Sequence, residues 1–290
     1  MIMKIAVLGT GLMGSAVAEA VLNAGHETIV YNRTAAKTQP LVALGAKAVA
    51  TPVEAIQAAD VSILVLPDGA SVRDVLLSDA AKAALQGKKV LNASTTKPAD
   101  IIAIAEEVSE NGGSLAEMSI MVGPDEVRSK QGYFYLGCAA DEEAFWTEVI
   151  LSVGQSLVRV GEVGDASKAE APIVFASVFG IVTTAYAASV ALKLNLPKEL
   201  TDSYAGMIGP AGEYLIPKML AREYDECFAS VDSLIGVADA AAGSAKSLGF
   251  PSKVFEDMRS LFEEAAKRGY GAKDGSSIVE VLLDPEKRNN

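Results

Sequence analysis

The stretch KIAVLGTGLMG, residues 4–14, decides the fold of this 290-residue chain. Its first half is a short apolar run that predicts a buried strand, and a helix is predicted directly behind it, at residues 13–24. Between the two lies the pattern Gly9-x-Gly11-x-x-Gly14. In this setting Gly9 permits a tight turn, Gly11 leaves room for a pyrophosphate, and Gly14 lets the helix pack close to the strand. The loop therefore predicts a dinucleotide site formed by Gly9, Gly11, Leu12, Met13 and Gly14.

Apolar runs and helical segments alternate after this loop, up to about Gly164. Strands are predicted at Thr28–Tyr31, Lys47–Ala50, Val61–Leu66 and Lys89–Asn92, and further ones around Leu115–Met118, Tyr133–Cys138 and Ser156–Val160. Such β-α-β alternation predicts an α/β fold with a Rossmann-type, doubly wound parallel sheet. From Ser167 onward helical spacing dominates, at residues 173–194, 197–221, 227–247 and 251–268. We therefore expect a nucleotide-binding domain at residues 1–164 and an all-α domain at residues 165–290.

The composition excludes several classes of function. A formal net charge of −12 leaves no basic stripe for nucleic acid. The single histidine, His26, is expected in a turn, and without another histidine a Ser-His-Asp nucleophile and most catalytic zinc sites are excluded. The two cysteines, Cys138 and Cys227, lack the spacing of a disulfide framework or a zinc site, so no metal is expected.

We expect neither a secretion signal nor a membrane-spanning segment. The start MIMKIAVLGTG leads straight into a strand without a charged and apolar leader, so we expect a cytoplasmic protein. The most apolar stretch, Ile173–Leu194, is interrupted by polar residues such as Ser177 and Thr183. We expect a buried helix there rather than a membrane span.

The end of the second predicted strand indicates which dinucleotide binds. An NAD site has an acidic residue there, which binds the ribose 2′-hydroxyl. This chain has Asn32 followed by Arg33 and Thr34, with Lys37 one turn further. Because a carboxylate would repel a 2′-phosphate whereas a guanidinium binds it, we predict NADP(H) as the cofactor. The alternative is that Arg33 is a solvated surface arginine.

Two later loops follow strands whose carboxyl ends share one edge of the sheet. In such folds ligands bind at that edge, so both loops are expected to border the ribose and the nicotinamide. For Ser94 to Thr96 the alternative is a helix cap before Pro98. The candidates are Leu66, Pro67 and Asp68 in the first loop and Ser94 and Thr95 in the second.

Five motifs together resemble the β-hydroxyacid dehydrogenase superfamily. They are LGTGLMG at 8–14, YNRT at 31–34, LPD at 66–68, STTKP at 94–98 and GYGAKDGSSIVEVL at 269–282. The resemblance covers nearly the whole chain. It implies a small-molecule substrate, a long interdomain helix and an all-α C-terminal domain that interlocks with a second copy to form a homodimer.

Two departures from this pattern point to one branch of the superfamily. Residues 117–123, EMSIMVG, lack the Ser-Gly-Gly with which the hydroxyacid enzymes bind a carboxylate, and the position of their catalytic lysine holds Glu170, with Lys168 two residues earlier. The segments SIM at 119–121 and NASTTKP at 92–98 are instead similar to those of imine reductases and reductive aminases. This resemblance implies that Glu170 stabilises or protonates an imine.

Each catalytic candidate has a structural alternative. The spacing of Ser167 and Glu170 is that of a capping box, in which Glu170 reaches back to the start of the helix. Lys168 is alternatively a solvated lysine. The substrate candidates Ser119, Met121, Phe175, Tyr204 and Met207 are alternatively core residues, which is the usual place of methionine and aromatic side chains at helical spacing.

Three functions are compatible with these observations. The first is an NADPH-dependent oxidoreductase that transfers hydride to a C=N bond. The second is a hydroxyacid dehydrogenase or an aldehyde reductase of the glyoxylate or succinic semialdehyde type, with Lys168 as its catalytic residue. The third is an NADP(H)-binding sensor without turnover, since binding alone needs only the nucleotide loop.

Overall fold

The computed structural model describes residues 2–284. The chain forms two compact units, which divide between Glu170 and Ala171. This division falls inside one continuous helix, Asp165–Leu194. Residues 165–170 of the helix thus belong to the first unit and the remainder to the second.

The first unit is built on an eight-stranded sheet in the order β3-β2-β1-β4-β5-β6-β7-β8. Every neighbouring pair in it is parallel except β6 and β7, which are antiparallel. The link between those two strands carries only a five-residue helix, too little to take the chain back across the sheet. The strands are β1 (Lys4–Leu8), β2 (Glu27–Tyr31), β3 (Lys47–Ala48), β4 (Val61–Leu64), β5 (Lys89–Asn92), β6 (Ser114–Ile120), β7 (Tyr133–Gly137) and β8 (Ser156–Gly161).

Helices complete this unit and the sheet carries an apolar core on each face. Along β1, Ile5 and Val7 belong to one buried cluster while Ala6 and Leu8 belong to the other, as expected for side chains that alternate across a strand. The doubly wound α/β fold is thereby confirmed, with one antiparallel pair added. The helices are α1 (Leu12–Asn23), α2 (Gln39–Ala43), α3 (Pro52–Ala58), α4 (Gly69–Leu77), α5 (Asp79–Ala84), α6 (Pro98–Glu110), α7 (Pro124–Arg128) and α8 (Glu143–Val153).

The second unit is helical throughout its described part. Phe255, Phe262, Leu234 and Met219 belong to the one buried apolar cluster that forms its core. The long helix α9 continues through Pro172, which lies inside it and cannot donate a hydrogen bond to the carbonyl oxygen of Lys168. The helices are α9 (Asp165–Leu194), α10 (Lys198–Ile208), α11 (Pro210–Ala221), α12 (Val231–Ser247), α13 (Lys253–Ala265) and α14 (Val279–Leu283).

Helix α9 is less buried than its composition suggests. By length and composition alone it could cross a membrane, with a mean hydropathy of 1.9 over its most apolar 18 residues, although core helices of soluble proteins meet the same criterion. Only 33% of that window is buried within the chain. The expectation of a buried helix is therefore wrong for one side of α9, where Ile173, Tyr186 and Leu194 are exposed.

Several helices and strands begin or end at residues other than the predicted ones, for local reasons. The helix expected at residues 197–221 is two helices, because Gly209 adopts a positive φ of 89° between them. The strand expected at Lys47–Ala50 ends at Ala48. His26 does lie between α1 and β2. It is buried, and its Nε2 atom is 2.9 Å from the hydroxyl oxygen of Ser152, which gives it a structural role.

Candidate active site at the carboxyl edge of the sheet

The glycine loop has a different steric reason for each of its three glycines. Gly9 has a φ of 98°, and a Cβ atom on it would collide with the carbonyl oxygen of Val65. A Cβ atom on Gly14 would collide with the carbonyl oxygen of Gly9, so the close approach of α1 to β1 requires glycine there. A Cβ atom on Gly11, in contrast, would meet no neighbouring atom within 4 Å. The space beside Gly11 is what a pyrophosphate needs to approach the backbone.

The N-terminus of α1 is available to an anion. Its N-cap is Gly11, which makes no side-chain capping bond, and its first turn contains no acidic residue. The free amides and the helix dipole therefore favour a phosphate at this position. Leu12 is exposed beside them, whereas Met13 is half-buried and packs against the core.

Asn32 connects the glycine loop to the end of β2. Its Oδ1 atom accepts a hydrogen bond from the amide of Thr10 at 3.0 Å, and its Nδ2 atom donates to the carbonyl oxygen of Thr34 at 3.1 Å. The side chains of Arg33 and Lys37 are exposed beside this turn. Within the described part of the chain, neither cation forms an ion pair. Arg33, Thr34 and Lys37 could therefore hold a 2′-phosphate, while the amide of Asn32 shapes the turn.

Ser94 links the two later loops. Its buried hydroxyl accepts from the amide of Leu66 at 2.8 Å and donates to the carbonyl oxygen of Leu64 at 3.2 Å. The predicted alternative, a cap before Pro98, is wrong because α6 has Lys97 as its N-cap. Asp68 caps α4 by accepting from the amide of Ser71 at 2.7 Å.

The remaining two loop candidates lie at the same edge of the sheet. Pro67 is exposed and Thr95 is half-buried. Because Ser94 and Asp68 are engaged in shaping the loops, these two positions, together with Leu66, are the ones left to face a nicotinamide ribose.

The two catalytic candidates have opposite surroundings. The half-buried carboxylate of Glu170 lies near the hydroxyl of Ser119 on β6. Burial raises the pKa of Glu170 to about 7; the hydroxyl of Ser119 opposes this and the nearby carboxylate of Glu117 adds to it. Lys168 is exposed, and its Nζ atom is 2.8 Å from Asp165 Oδ1. At neutral pH, Glu170 can therefore both hold and release a proton.

Glu117 is a functional candidate that the sequence reasoning missed. It is buried on β6, where Oε2 accepts from the amide of Gly164 at 2.9 Å and Oε1 accepts from the hydroxyl of Ser167. The capping-box alternative for Glu170 is wrong, because the hydroxyl of Ser167 is directed to Glu117. The signal was the single carboxylate of the strand SLAEMSI, since such a group is rarely buried without partners.

The other substrate candidates divide between the two units. Met121 follows β6 and is half-buried. In the second unit, Phe175 packs on Phe255 with ring centroids 4.5 Å apart, which suits the core alternative. Tyr204 has a buried hydroxyl for which the described residues provide no hydrogen-bond partner. Met207 is 85% exposed, so the core alternative is wrong for this residue.

The family described as the NAD binding domain of 6-phosphogluconate dehydrogenase matches residues 4–161. This chain belongs to the β-hydroxyacid dehydrogenase family. Chloroplastic glyoxylate/succinic semialdehyde reductase 2 of Arabidopsis thaliana is 26% identical to this family member over 294 residues, which cover 98% of this chain and 81% of that protein.

Two solved structures of β-hydroxyacid dehydrogenase relatives are similar to this one. The 3-hydroxyisobutyrate dehydrogenase of Salmonella typhimurium aligns with a TM-score of 0.81 at 21% identity, over 96% of this chain and 99% of that one. An imine reductase of Myxococcus stipitatus in complex with NADP+ aligns with a TM-score of 0.64 at 25% identity, over 96% and 99%. This β-hydroxyacid dehydrogenase family member is an oxidoreductase that binds a nicotinamide nucleotide.

Proposed function

We propose that this oxidoreductase uses NADPH to transfer hydride to the carbon of a C=N bond. The observation that carries the proposal is Glu170, a half-buried carboxylate at the start of α9, near Ser119, whose pKa burial raises to about 7. The hydroxyacid pattern has a lysine at that position. The nearest lysine, Lys168, is paired with Asp165 and exposed, so it is a poor proton donor for a carbonyl reaction.

A carboxyl group suits an imine for a chemical reason. Reduction of a ketone creates an alkoxide, which needs a proton from an acid, whereas an iminium ion already carries its proton. When bound, NADPH would supply the hydride and leave as NADP+. In its neutral form Glu170 can give a proton to an imine nitrogen, and the resulting carboxylate then stabilises the iminium cation.

The cofactor preference is part of the same proposal. Arg33, Thr34 and Lys37 are exposed at the end of β2, and Asn32 stands where an NAD site has an acid. A guanidinium beside a hydroxyl and an ammonium group would bind the 2′-phosphate of NADPH with charge-assisted hydrogen bonds. The phosphates of the dinucleotide would lie beside Gly11 at the start of α1.

The direct test is NADPH consumption, followed by absorbance, with two substrate panels. One panel holds cyclic imines, and the other holds glyoxylate, succinic semialdehyde and 2- and 3-oxo acids. The Glu170→Gln and Lys168→Ala variants are measured alongside. We expect turnover of imines that falls at least about 100-fold in Glu170→Gln and is unchanged in Lys168→Ala. Turnover confined to oxo compounds and lost only in Lys168→Ala would refute the proposal.

Reduction of an aldehyde is the second candidate, favoured by the similarity to glyoxylate/succinic semialdehyde reductase 2. A carboxyl group with a pKa of about 7 could also give its proton to an alkoxide. This candidate predicts turnover of the aldehydes in the second panel and its loss in Glu170→Gln. The two panels therefore separate the reactions even though both use Glu170.

We further propose that the protein is a homodimer whose second copy covers the exposed side of α9. Tyr186, Val190 and Leu194 are four residues apart, so they form one line along this helix. They are between 52% and 64% exposed in the single chain. Large apolar side chains in such a line favour contact with a partner over contact with water.

A further inference from the structure

Strand β6 and the start of helix α9 are joined within the first unit by two polar links. Glu117 and Ser119 are two residues apart on β6, so their side chains leave the same face of the sheet. Ser167 and Glu170 are three residues apart on α9, so they share one side of the helix. Glu117 accepts a hydrogen bond from the hydroxyl of Ser167, and the hydroxyl of Ser119 lies near Glu170. The first link therefore fixes the register in which the second one forms.

Glu117 also caps the helix from outside. Its carboxylate accepts from the amide of Gly164 at 2.9 Å, and the nearby amides of Ala166 and Ser167 favour its charged form. These are N–H groups that the first turn of a helix leaves without intrahelical partners. Because a negative charge at this end also suits the helix dipole, Glu117 holds the turn from which Glu170 projects.

The neighbouring strands leave room for this carboxylate. In the sheet register, Glu117 lies between Asn92 on β5 and Gly137 on β7. A Cβ atom on Gly137 would lie 2.6 Å from the carbonyl oxygen of Glu162 and 3.3 Å from Glu117 Oε2. Any larger residue at 137 would therefore press on the segment that leads into α9.

We propose that Glu117 is the positioning residue of Glu170, holding the first turn of α9 against β6 so that the Glu170 carboxylate meets Ser119. The inference rests on the proposed function, because Glu170 has its catalytic role only there. Glu117 itself touches neither substrate nor cofactor in this scheme. It acts through the helix turn and through its charge, since two carboxylates so close together resist simultaneous ionisation.

The other charged groups at the start of α9 are already paired with one another. On the helix, Asp165 bonds to Lys168. Before the helix, Glu162 bonds to Arg159 at 2.8 Å. Among the described residues of the first unit, Glu117 is thus the carboxyl group near Glu170 that has no ion pair, and burial raises its pKa as well.

The test that needs no substrate is a titration of Glu170. Carboxyl carbon resonances of labelled glutamate are followed against pH, and the Glu170→Gln variant identifies the signal. Glu117→Gln keeps an acceptor for Gly164 and Ser167 but removes the charge. We expect it to lower the pKa of Glu170 by about one pH unit. The matched control is Glu142→Gln, a half-buried carboxylate of the same unit that bonds to Lys89 and Trp146. An equal Glu170 titration in wild type and Glu117→Gln would overturn the proposal.

Kinetics with a five-membered cyclic imine test the positioning role separately. We expect Glu117→Ala to lower kcat by at least about tenfold while KM changes less than threefold. Glu117→Gln should recover most of kcat, and the pH at which its kcat begins to fall should be lower than in wild type. If circular dichroism shows that Glu117→Ala does not fold, Ser167→Ala removes one of the two links and should lower kcat about two- to fivefold. Unchanged kcat in all of these variants would overturn the proposal.

The two hypotheses fail in different ways. If Glu170→Gln retains full turnover while Glu117→Gln still moves the Glu170 titration, the proposed function is wrong and the link between the carboxylates stands. If Glu170→Gln abolishes turnover while the Glu117 variants change neither the titration nor kcat, only the present inference is wrong.

Discussion

At the scale of the residue, the environment of a side chain matters more than its type. Glu170 and Lys168 are two positions apart, and the sequence could not decide between them. The fold gives Glu170 a half-buried place beside Ser119 and Glu117, while Lys168 bonds to Asp165 in contact with solvent. A proton donor needs a pKa near the working pH, and burial brings the pKa of Glu170 there.

The raised pKa of Glu170 predicts a pH-dependent stability. Its ordinary value is 4.5 and its value in the fold is about 7. The folded state therefore binds this proton more tightly, and wild type loses stability as pH rises from about 4.5 to about 7. Glu170→Gln should be more stable than wild type by about 1–2 kcal/mol at pH 8, with solvent screening included, and equal to it near pH 4. Urea unfolding at pH 4, 6 and 8 measures this.

Glu142→Gln is the control, because its expected effect on stability at pH 8 is opposite to that of Glu170→Gln. Burial raises the pKa of Glu142, but hydrogen bonds from Lys89, Trp146 and Ser114 outweigh it and the net pKa is lowered. This carboxylate therefore stabilises the fold above its unfolded pKa, and its stabilisation is lost as pH falls. Its glutamine variant should be less stable than wild type at pH 8. A Glu170→Gln variant that is also less stable than wild type at pH 8 would contradict the raised pKa.

Arg33 should discriminate between the two nicotinamide cofactors. Arg33→Ala is expected to weaken NADPH binding about 10- to 100-fold, because a charge-assisted contact to the 2′-phosphate is lost. NADH binding should change less than about twofold, since NADH has no phosphate at that position. Fluorescence titration of both cofactors measures the ratio. Arg128→Ala, which removes an arginine bonded to Glu19 and Asp125, is the control. Equal loss for both cofactors would show that Arg33 acts on the fold.

At the scale of the element, the sequence predicted those strands, turns and helices that depend on residues close together in the chain. The strand, glycine loop and helix at residues 4–24 are placed correctly because apolar runs and glycine spacing determine them. The direction of β7 could not be predicted, since it depends on the length of helix available in the preceding connection. The bonds of Glu117 could not be predicted either, because Gly164 and Ser167 are 47 and 50 positions away in sequence.

The glycine loop offers a paired test at this scale. Gly11→Ala adds a methyl group in open space at a φ of −73°, which alanine adopts freely, so stability should change by less than about 1 kcal/mol. The same methyl group occupies the expected phosphate position, and NADPH binding should weaken at least about tenfold. Gly14→Ala should instead cost about 2–4 kcal/mol of stability, because its methyl group collides with the Gly9 carbonyl. Urea unfolding and NADPH titration of both variants measure this, and unchanged binding in Gly11→Ala would exclude the site.

At the scale of the whole molecule, the exposed side of α9 raises the question of assembly. We expect wild type to have twice the chain mass in light scattering after size exclusion. Val190→Asp should lower that mass to one chain at micromolar concentration, because burying an unpaired carboxylate in an apolar contact is costly. Val158→Asp, at an exposed valine of β8 in the first unit, is the matched control and should not change the mass. A monomeric wild type would refute the dimer.

The division of the chain inside α9 has a consequence for recombination. Since residues 165–194 are one unbroken helix that the two units share, no loop separates the nucleotide-binding half from the helical half. A chimera that joined halves of two homologues at residue 170 would splice two unrelated sequences within a single run of helical hydrogen bonds. The crossover should therefore be placed before Gly164 or after Leu194. A crossover before Gly164 takes Glu117 and the helix turn that it caps from different parents, whereas a crossover after Leu194 takes both from one parent.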